Sequence, residues 1–321
     1  MRRRDVVLPL LLSLAAPSIA RAQAWPARPI RIVVPVPPGG GTDIISRLLQ
    51  PHLQERLGQS VVIENRPGGG STIGTTNIAQ SPGDGYSLLM IDSAIAVNPF
   101  LYARLSYDAN RDLQPVSLVA TAPVILVTHP SFPPRSVQEL IAYARANPGR
   151  VNFASGGNGA STHLSGEMLR SVASIDIVHI PYPGTGPGVA ALLGGQVQMM
   201  FAGISSTRQH IEGGALRALA VTGADRSPAV PTVPTFSEAG LPAMSAETIW
   251  GLWAPAAMSP EIGERLAREI SAILAMPEVQ RRAVELGFVT VGSSPAQFRE
   301  RYARELATWG PIVRQSGARA D

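Results

Sequence analysis

The stretch VVPVPPGGGTDIISRLLQ, residues 33–50, decides how the chain folds. It opens as a short β-branched strand, passes a Pro/Gly loop, and enters a segment whose apolar residues fall at helical spacing. Ile45, Leu48, Leu49, Leu53 and Leu57 share one face of that helix, and Thr42 or Asp43 is the expected N-cap. Pro51 is expected to kink it. A strand feeding a helix through glycines is the unit of an α/β protein built on parallel strands.

The same unit recurs further along. VNFASGGNGASTHLSGEMLR (151–170) and VHIPYPGTGPGVAALLGGQ (178–196) each run strand, glycine loop, helix start. Further strands are expected at SVVIE, GYSLLMIDS, RVNFAS, IDIVHI, VQMMF and LRALAVTG. Ser136 and Glu139 are placed as a capping box ahead of LIAYARANPG. The C-terminal third reads as helical, with Ser259-Pro260 and Ser294-Pro295 as cap-plus-first-turn pairs.

Each glycine loop sets free backbone N–H groups and the positive end of a helix dipole at a strand's C-terminal edge. In open α/β sheets that edge is where ligands bind. Several converging loops make a receptor for anionic groups without side-chain cations. A nucleotide is excluded on detail: there is no G-x-x-x-x-G-K-[ST], and the loops lack G-x-G-x-x-G spacing. Taken singly, each loop also has a plainer reading, since glycines close turns that bind nothing.

Composition removes other classes. The 321 residues contain no cysteine and no lysine, so disulfides, thiolate chemistry, a P-loop lysine and Schiff bases are all absent. The first segment, MRRRDVVLPLLLSLAAPSIARAQA, has a basic start, an apolar run and Ala22-Gln23-Ala24 as a small-x-small cleavage site. It reads as an export signal cleaved near Ala24, general secretory in preference to twin-arginine, which places the mature chain in the periplasm. Cleavage takes four arginines and one aspartate, so +3 of the formal +4 leaves with it and +1 remains. With no basic cluster interleaved with aromatics, nucleic acid is not a partner.

Several tempting residues carry a bland alternative. His163 and Glu167 lie four apart on a helix but lack a third metal ligand, so no metal is expected. His163 either touches ligand or packs near the helix start, and His179 is expected to be a satisfied core histidine. Arg66 either grips an anion or sits on the surface; Trp250 and Trp253 either line a cleft or pack the core. No G-x-S-x-G or H-E-x-x-H occurs, so no catalytic residue is assigned.

An ordered series of motifs then resembles one family: PVPPGGGTDIISRLL, VVIENRPGGGSTIGT, PGDGYSLLM, NPGRVNFASGGNGASTHLSGEML, VHIPYPGTGPGVAALLGGQVQMMF and LRALAVTGADRSPAVPTVPTFSEAGLP. They are similar to those of the Bug-type solute-binding proteins, the extracytoplasmic receptors of tripartite tricarboxylate transporters. The resemblance implies a type II periplasmic binding-protein fold: two α/β domains joined by two crossovers, with a ligand cleft between them. The crossovers are expected at PVILVTHP and ETIWGLWAP, giving domain 1 as residues 25–122 plus 249–321 and domain 2 as 123–248.

It also implies a small di- or tricarboxylate, acidic amino acid or aromatic carboxylate as ligand, and no cofactor. The first-domain site residues it implies are Pro38, Gly39, Gly40, Thr42, Asp43, Gly74 and Ser93. From domain 2 come Ser155, Gly156, Asn158, Ser161, Thr162, Tyr182, Gly184 and Thr185. Partners would be membrane transporter subunits or a membrane sensor, approached by a monomer. Two departures stand out: Ala202-Gly203 replace an acidic residue common after the MMF strand, and Pro183 replaces a frequent lysine. The first weakens the case for an amino-acid ligand, whose ammonium wants a carboxylate partner. Both point toward a less polar acid, aromatic ones included.

Overall fold

The structure, a computed structural model, describes residues 25–244 and 247–320. The expected export signal therefore lies outside the described residues. The first part of the chain runs β1 (Ile30–Val34), α1 (Gly41–Leu57), β2 (Val61–Asn65), α2 (Thr72–Ala79), β3 (Ser87–Asp92), α3 (Ala94–Leu101) and α4 (Ala109–Asp112). A long strand, β4 (Leu113–Thr128), leads into α5 (Val137–Ala146), β5 (Val151–Ser155), α6 (Ser161–Ala173), β6 (Ile177–Pro181) and α7 (Thr185–Leu193). After β7 (Met199–Gly203), α8 (Ile204–Glu212) and β8 (Arg217–Val221), the chain returns through β9 (Glu247–Pro255). It ends in α9 (Pro260–Leu274), α10 (Pro277–Glu285), β10 (Val289–Thr290) and α11 (Pro295–Ser316).

The strands lie in the order β2-β1-β3-β9-β4-β7-β5-β6, with β8 and β10 also pairing β4. Around β1 and around β5 the pairing is parallel; β9 is antiparallel to both β3 and β4. Strand β4 serves both ends of this assembly. Its residues Leu113–Pro123 pair with β9, and Val124–Thr128 pair with β7. Nearly every β4 side chain is buried, as expected of a strand covered on both faces.

Three apolar clusters fill the molecule. One draws on β1, α1, β9 and α9, a second on β4 together with β5, α7 and β7, and the third runs beneath both groups. Trp253 belongs to the third, edge-on to Phe298 and Tyr302 with centroids 4.9 Å apart, which settles its reading as core.

Three local expectations need correction. Helix α1 is capped by Gly40, not by Thr42 or Asp43, which are buried in its first turn. The Asp43 carboxylate reaches back instead and accepts the Gly39 N–H at 2.9 Å. The box at Ser136 is half formed: Ser136 accepts from Glu139 N, but Glu139 accepts from Arg135 N rather than from the cap residue. The PVILVTHP strand is only the end of β4, which starts at Leu113. Pro115 inside the first half and Pro123 at its end hid it, because a proline removes a ladder donor. The sheet tolerates them where pairing is irregular: register shifts between Pro115 and Ser117, and at Pro123 the strand exchanges neighbours.

Candidate functional site

The C-terminal ends of β3, β5 and β7 and the helix starts that follow them face one cleft, formed by two adjoining cavities. The first, about 460 Å³, is walled by Ser71 and by Ser93, Val97 and Asn98 on one side. Gly156, Asn158 and Ser161 close it from the other. The second, about 380 Å³, lies between Gly41 and Trp250 on one side and Thr162, Thr185 and Gly203–Ser206 on the other. Its floor is Ala122-Pro123-Val124, the point where β4 changes partners. Asp92, Ser161 and Thr248 line both cavities and form the seam.

The helices that meet here start without side-chain caps. The N-caps are Gly40 for α1, Ala160 for α6, Gly184 for α7 and Gly203 for α8, and none makes a side-chain cap hydrogen bond. Their first-turn N–H groups and dipole ends are left to whatever enters the cleft. Ser93 caps α3 by position, yet its hydroxyl accepts from Ile249 N at 3.0 Å, which ties β9 to the site.

The glycine loop before α6 is pinned from behind. Gly156 N donates to Thr162 Oγ1 (2.9 Å), Gly157 N to Ser155 Oγ (3.1 Å) and Gly159 N to His163 Nδ1 (3.0 Å). Ser155 Oγ also bonds His179 Nε2 at 2.6 Å, and the two imidazoles stack with centroids 3.8 Å apart. Burial, followed by the neighbouring His163, lowers the His179 pKa to about 4, so it stays neutral at ordinary pH. His163 is thus a packing residue that orders the loop, and His179 is satisfied by Ser155 as expected but is half-buried at the edge of the core rather than within it. The loop is preorganised, and most of its glycine amides are spent on holding its shape.

Of the residues implied by the resemblance, Ser93, Gly156, Asn158, Ser161, Thr162 and Thr185 line the cleft. The others do not line either cavity. Pro38, Gly39 and Gly40 form the turn into α1, with Gly39 at φ +83°. Thr42 sits just behind the wall, accepting from Trp250 Nε1 (3.2 Å) and donating to Asp92 Oδ2 (3.4 Å). Asp43 is occupied by Arg47, Gly39 and Asn65. Burial works against its charge, but those hydrogen bonds win and hold its pKa at about 2. Gly74 packs its Cα where a Cβ would meet Pro35 at 2.8 Å and the Arg66 carbonyl at 2.9 Å. Ser155 is fully buried; Tyr182 and Gly184 shape the turn into α7 through a 2.8 Å backbone bond.

Arg66 pairs with Glu64 on the surface. Trp250 lines the second cavity, with its ring edge-on to Phe288. The sequence reading missed Asp92, Thr248, Asn98 and Ser205-Ser206. Asp92 had a signal, as a polar residue closing an apolar strand at the ligand edge of a sheet. Thr248 had none, because its place depends on β9 returning from far along the chain.

The chain is similar to known proteins along most of its length. Residues 45–318 match the model of the tripartite tricarboxylate transporter family receptor. Protein BugT of Bordetella pertussis is 41% identical over 310 residues, 95% of this chain and 94% of that protein. The solved structure of R. palustris Rpa4515 with adipate superimposes with a TM-score of 0.79 at 32% identity, covering 91% of this chain and 98% of the other. That of MatC from Rhodopseudomonas palustris with bound malate gives 0.74 at 31% identity, covering 90% and 100%. The fold implied by the motif series, two α/β lobes around a cleft, is the one these neighbours share, and the chain belongs to the tripartite tricarboxylate transporter receptor family.

Proposed function

We propose that the protein is a periplasmic receptor that captures a small organic carboxylate in the cleft and delivers it to the membrane subunits of a tripartite transporter. The observation that carries this reading is a cleft ringed by uncapped helix starts and small hydroxyls, with no arginine or histidine among its described lining residues. Such a site holds a carboxylate through charge-assisted hydrogen bonds from backbone N–H groups. Ser93, Asn158, Ser161, Thr162 and Thr185, with Gly156, are the proposed ligand contacts. The solved relatives with adipate and malate support a ligand of that size and charge.

The two lobes, 25–122 plus 249–321 and 123–248, close by bending where β4 and β9 run side by side. Because Ala122–Val124 form the floor of the cavity, a ligand there touches the hinge itself. Closure buries the ligand and presents a new surface to the membrane partner. The receptor acts as a monomer, exported and cleaved near Ala24. It is not a catalyst: Ser155 and His179 form a hydroxyl–imidazole pair, but Ser155 is buried and presents nothing to the cleft.

A thermal-shift panel tests the reading, since a ligand that binds only the folded state raises the melting temperature. At least one small mono-, di- or tricarboxylate stabilises the protein, and nucleotides and sugars do not. Stabilisation by a sugar or nucleotide, with none by any carboxylate, overturns it.

A further inference from the structure

Asp92 is the one charged side chain among the described residues lining the two cavities, and it lies on the seam they share. It closes β3, and its carboxylate is held firmly. Oδ1 accepts the Ala94 N–H at 3.0 Å. Oδ2 accepts from the Thr42 hydroxyl at 3.4 Å, and Thr42 in turn accepts the Trp250 indole N–H at 3.2 Å. Oδ1 is thus engaged by the backbone, and Oδ2 by a long contact at the end of the Trp250–Thr42–Asp92 chain. A carboxylate has about four acceptor positions, so capacity remains on the side of the cavities.

This arrangement is awkward for a plain anion. Every other lining group is neutral, so a ligand carboxylate held by the helix starts would share the seam with an uncompensated negative charge. Like charges in so enclosed a place disfavour one another strongly. A cationic nitrogen on the ligand reverses the sign, replacing repulsion with a charge-assisted hydrogen bond. We propose that Asp92 is the specificity-determining residue of the cleft and that it selects carboxylates bearing a cationic nitrogen over carboxylates that bear none.

The inference rests on the receptor reading and sharpens its ligand class to zwitterions. It also reverses what the sequence suggested. The acidic residue lacking after the MMF strand is replaced, in space, by one from the opposite lobe. Burial pushes the Asp92 carboxyl above its ordinary value, and a cation beside it would favour the ionised form.

Matched pairs decide the matter: succinate against L-aspartate, adipate against L-2-aminoadipate, and butyrate against 4-aminobutyrate, each titrated by calorimetry at pH 7.5. In the wild-type protein the amino member of at least one pair binds tenfold or more tightly than its amino-free partner. In Asp92→Asn that preference falls by about 10- to 100-fold, through weaker binding of the amino member, while the amino-free acid binds as well as before or better. Equal or tighter binding of the amino-free acids by the wild type overturns the proposal. So does an Asn variant, folded by its melting curve, that keeps the preference. If Asn is not tolerated, Asp92→Ser gives the same comparison, and the wild-type ratios stand by themselves. An Asp92 that acts instead as a protonated donor to a ligand carboxylate reveals itself by tight succinate or adipate binding that Asn preserves, which also overturns it. If no member of any pair binds while another carboxylate stabilises the protein in the thermal-shift panel, the receptor reading stands and this proposal fails.

Discussion

Helices α6 and α11 begin with opposite designs. At α11, Ser294 accepts from Gln297 N while Gln297 accepts from Ser294 N, a complete capping box with Pro295 in the first turn. At α6 the N-cap is Ala160, with no side chain to offer. The bare start of α6 lies on the cleft, where its first-turn donors face the cavities. Helix α1 is intermediate: its cap is glycine, but Asp43 bends back from the first turn and serves Gly39. Away from the cleft α11 is fully boxed and α5 is capped by Ser136, while α9 and α10 begin without side-chain caps; at the cleft α1, α6, α7 and α8 all leave their first-turn donors without one.

The strongest test of this contrast gives α6 the cap it lacks. Ala160→Asp supplies a good N-cap and a charge matched to the dipole, so folding is unharmed or gains a few tenths of a kcal/mol. The same carboxylate occupies the first-turn donors and repels an incoming anion. Affinity for the stabilising carboxylate, by calorimetry, falls by about 1–3 kcal/mol, roughly 10- to 100-fold. The substitution belongs at Ala160 because Ser161 is already the first helical residue. Unchanged affinity would mean that this helix start does not face the ligand.

Asp43 tests the intermediate case. Its side chain is 4% exposed, and its pKa falls from the ordinary 3.8 to about 2. A depressed carboxylate contributes stability that is present above about pH 4 and lost as pH falls through the folded-state value. Asp43→Asn is expected to cost about 2 kcal/mol at pH 7 in urea unfolding, the difference shrinking toward pH 2. A cost that is flat with pH would assign Asp43 a packing role only.

Ser294→Ala then removes the box from α11. Stability drops by about 1 kcal/mol and ligand affinity is unchanged, since α11 is capped on the protein side. The smallest effect belongs to Ser161→Ala, which deletes one hydroxyl from the seam and leaves the backbone donors in place. It weakens binding by about 0.5–1.5 kcal/mol, roughly threefold to tenfold, at an unaltered melting temperature. If Ser161→Ala matches Ala160→Asp in effect, the hydroxyl and not the helix start holds the ligand.

Much of this organisation was legible in local patterns. Strand, glycine loop and helix start follow one another within about twenty residues, so β1-α1, β5-α6 and β6-α7 declare themselves through periodicity and loop chemistry. The cleft was legible only where a local unit supplied its wall, as at Gly156–Thr162 and Thr185. What escaped was assembled from distant segments. Leu113–Ala122 failed to read as a strand because Pro115 interrupts it and Pro123 follows it, and only the irregular pairing at Pro115 and the exchange of neighbours at Pro123 explain why the sheet accepts them. Thr248 and Trp250 reach the site because β9 inserts between β3 and β4, which no spacing in sequence announces. Asp43 looked like a cap because its residue type suits one, yet a glycine turn took that position and turned the carboxylate backward.

The placement of β9 has a consequence for the order in which the molecule can be made. Leu89 pairs with Trp253 and Asp92 with Trp250, partners drawn from opposite ends of the chain. As the polypeptide emerges N-terminus first, β3 has β1 on one side and an open row of backbone donors and acceptors on the other. Nothing can close that row until the last quarter of the chain arrives, and an unpaired apolar strand edge invites pairing with other chains. Strand β9 is therefore also the latch: the nascent chain must be kept apart from its neighbours until β9 slides between β3 and β4, and folding is bound to wait on some of the most distant pairings in the sheet.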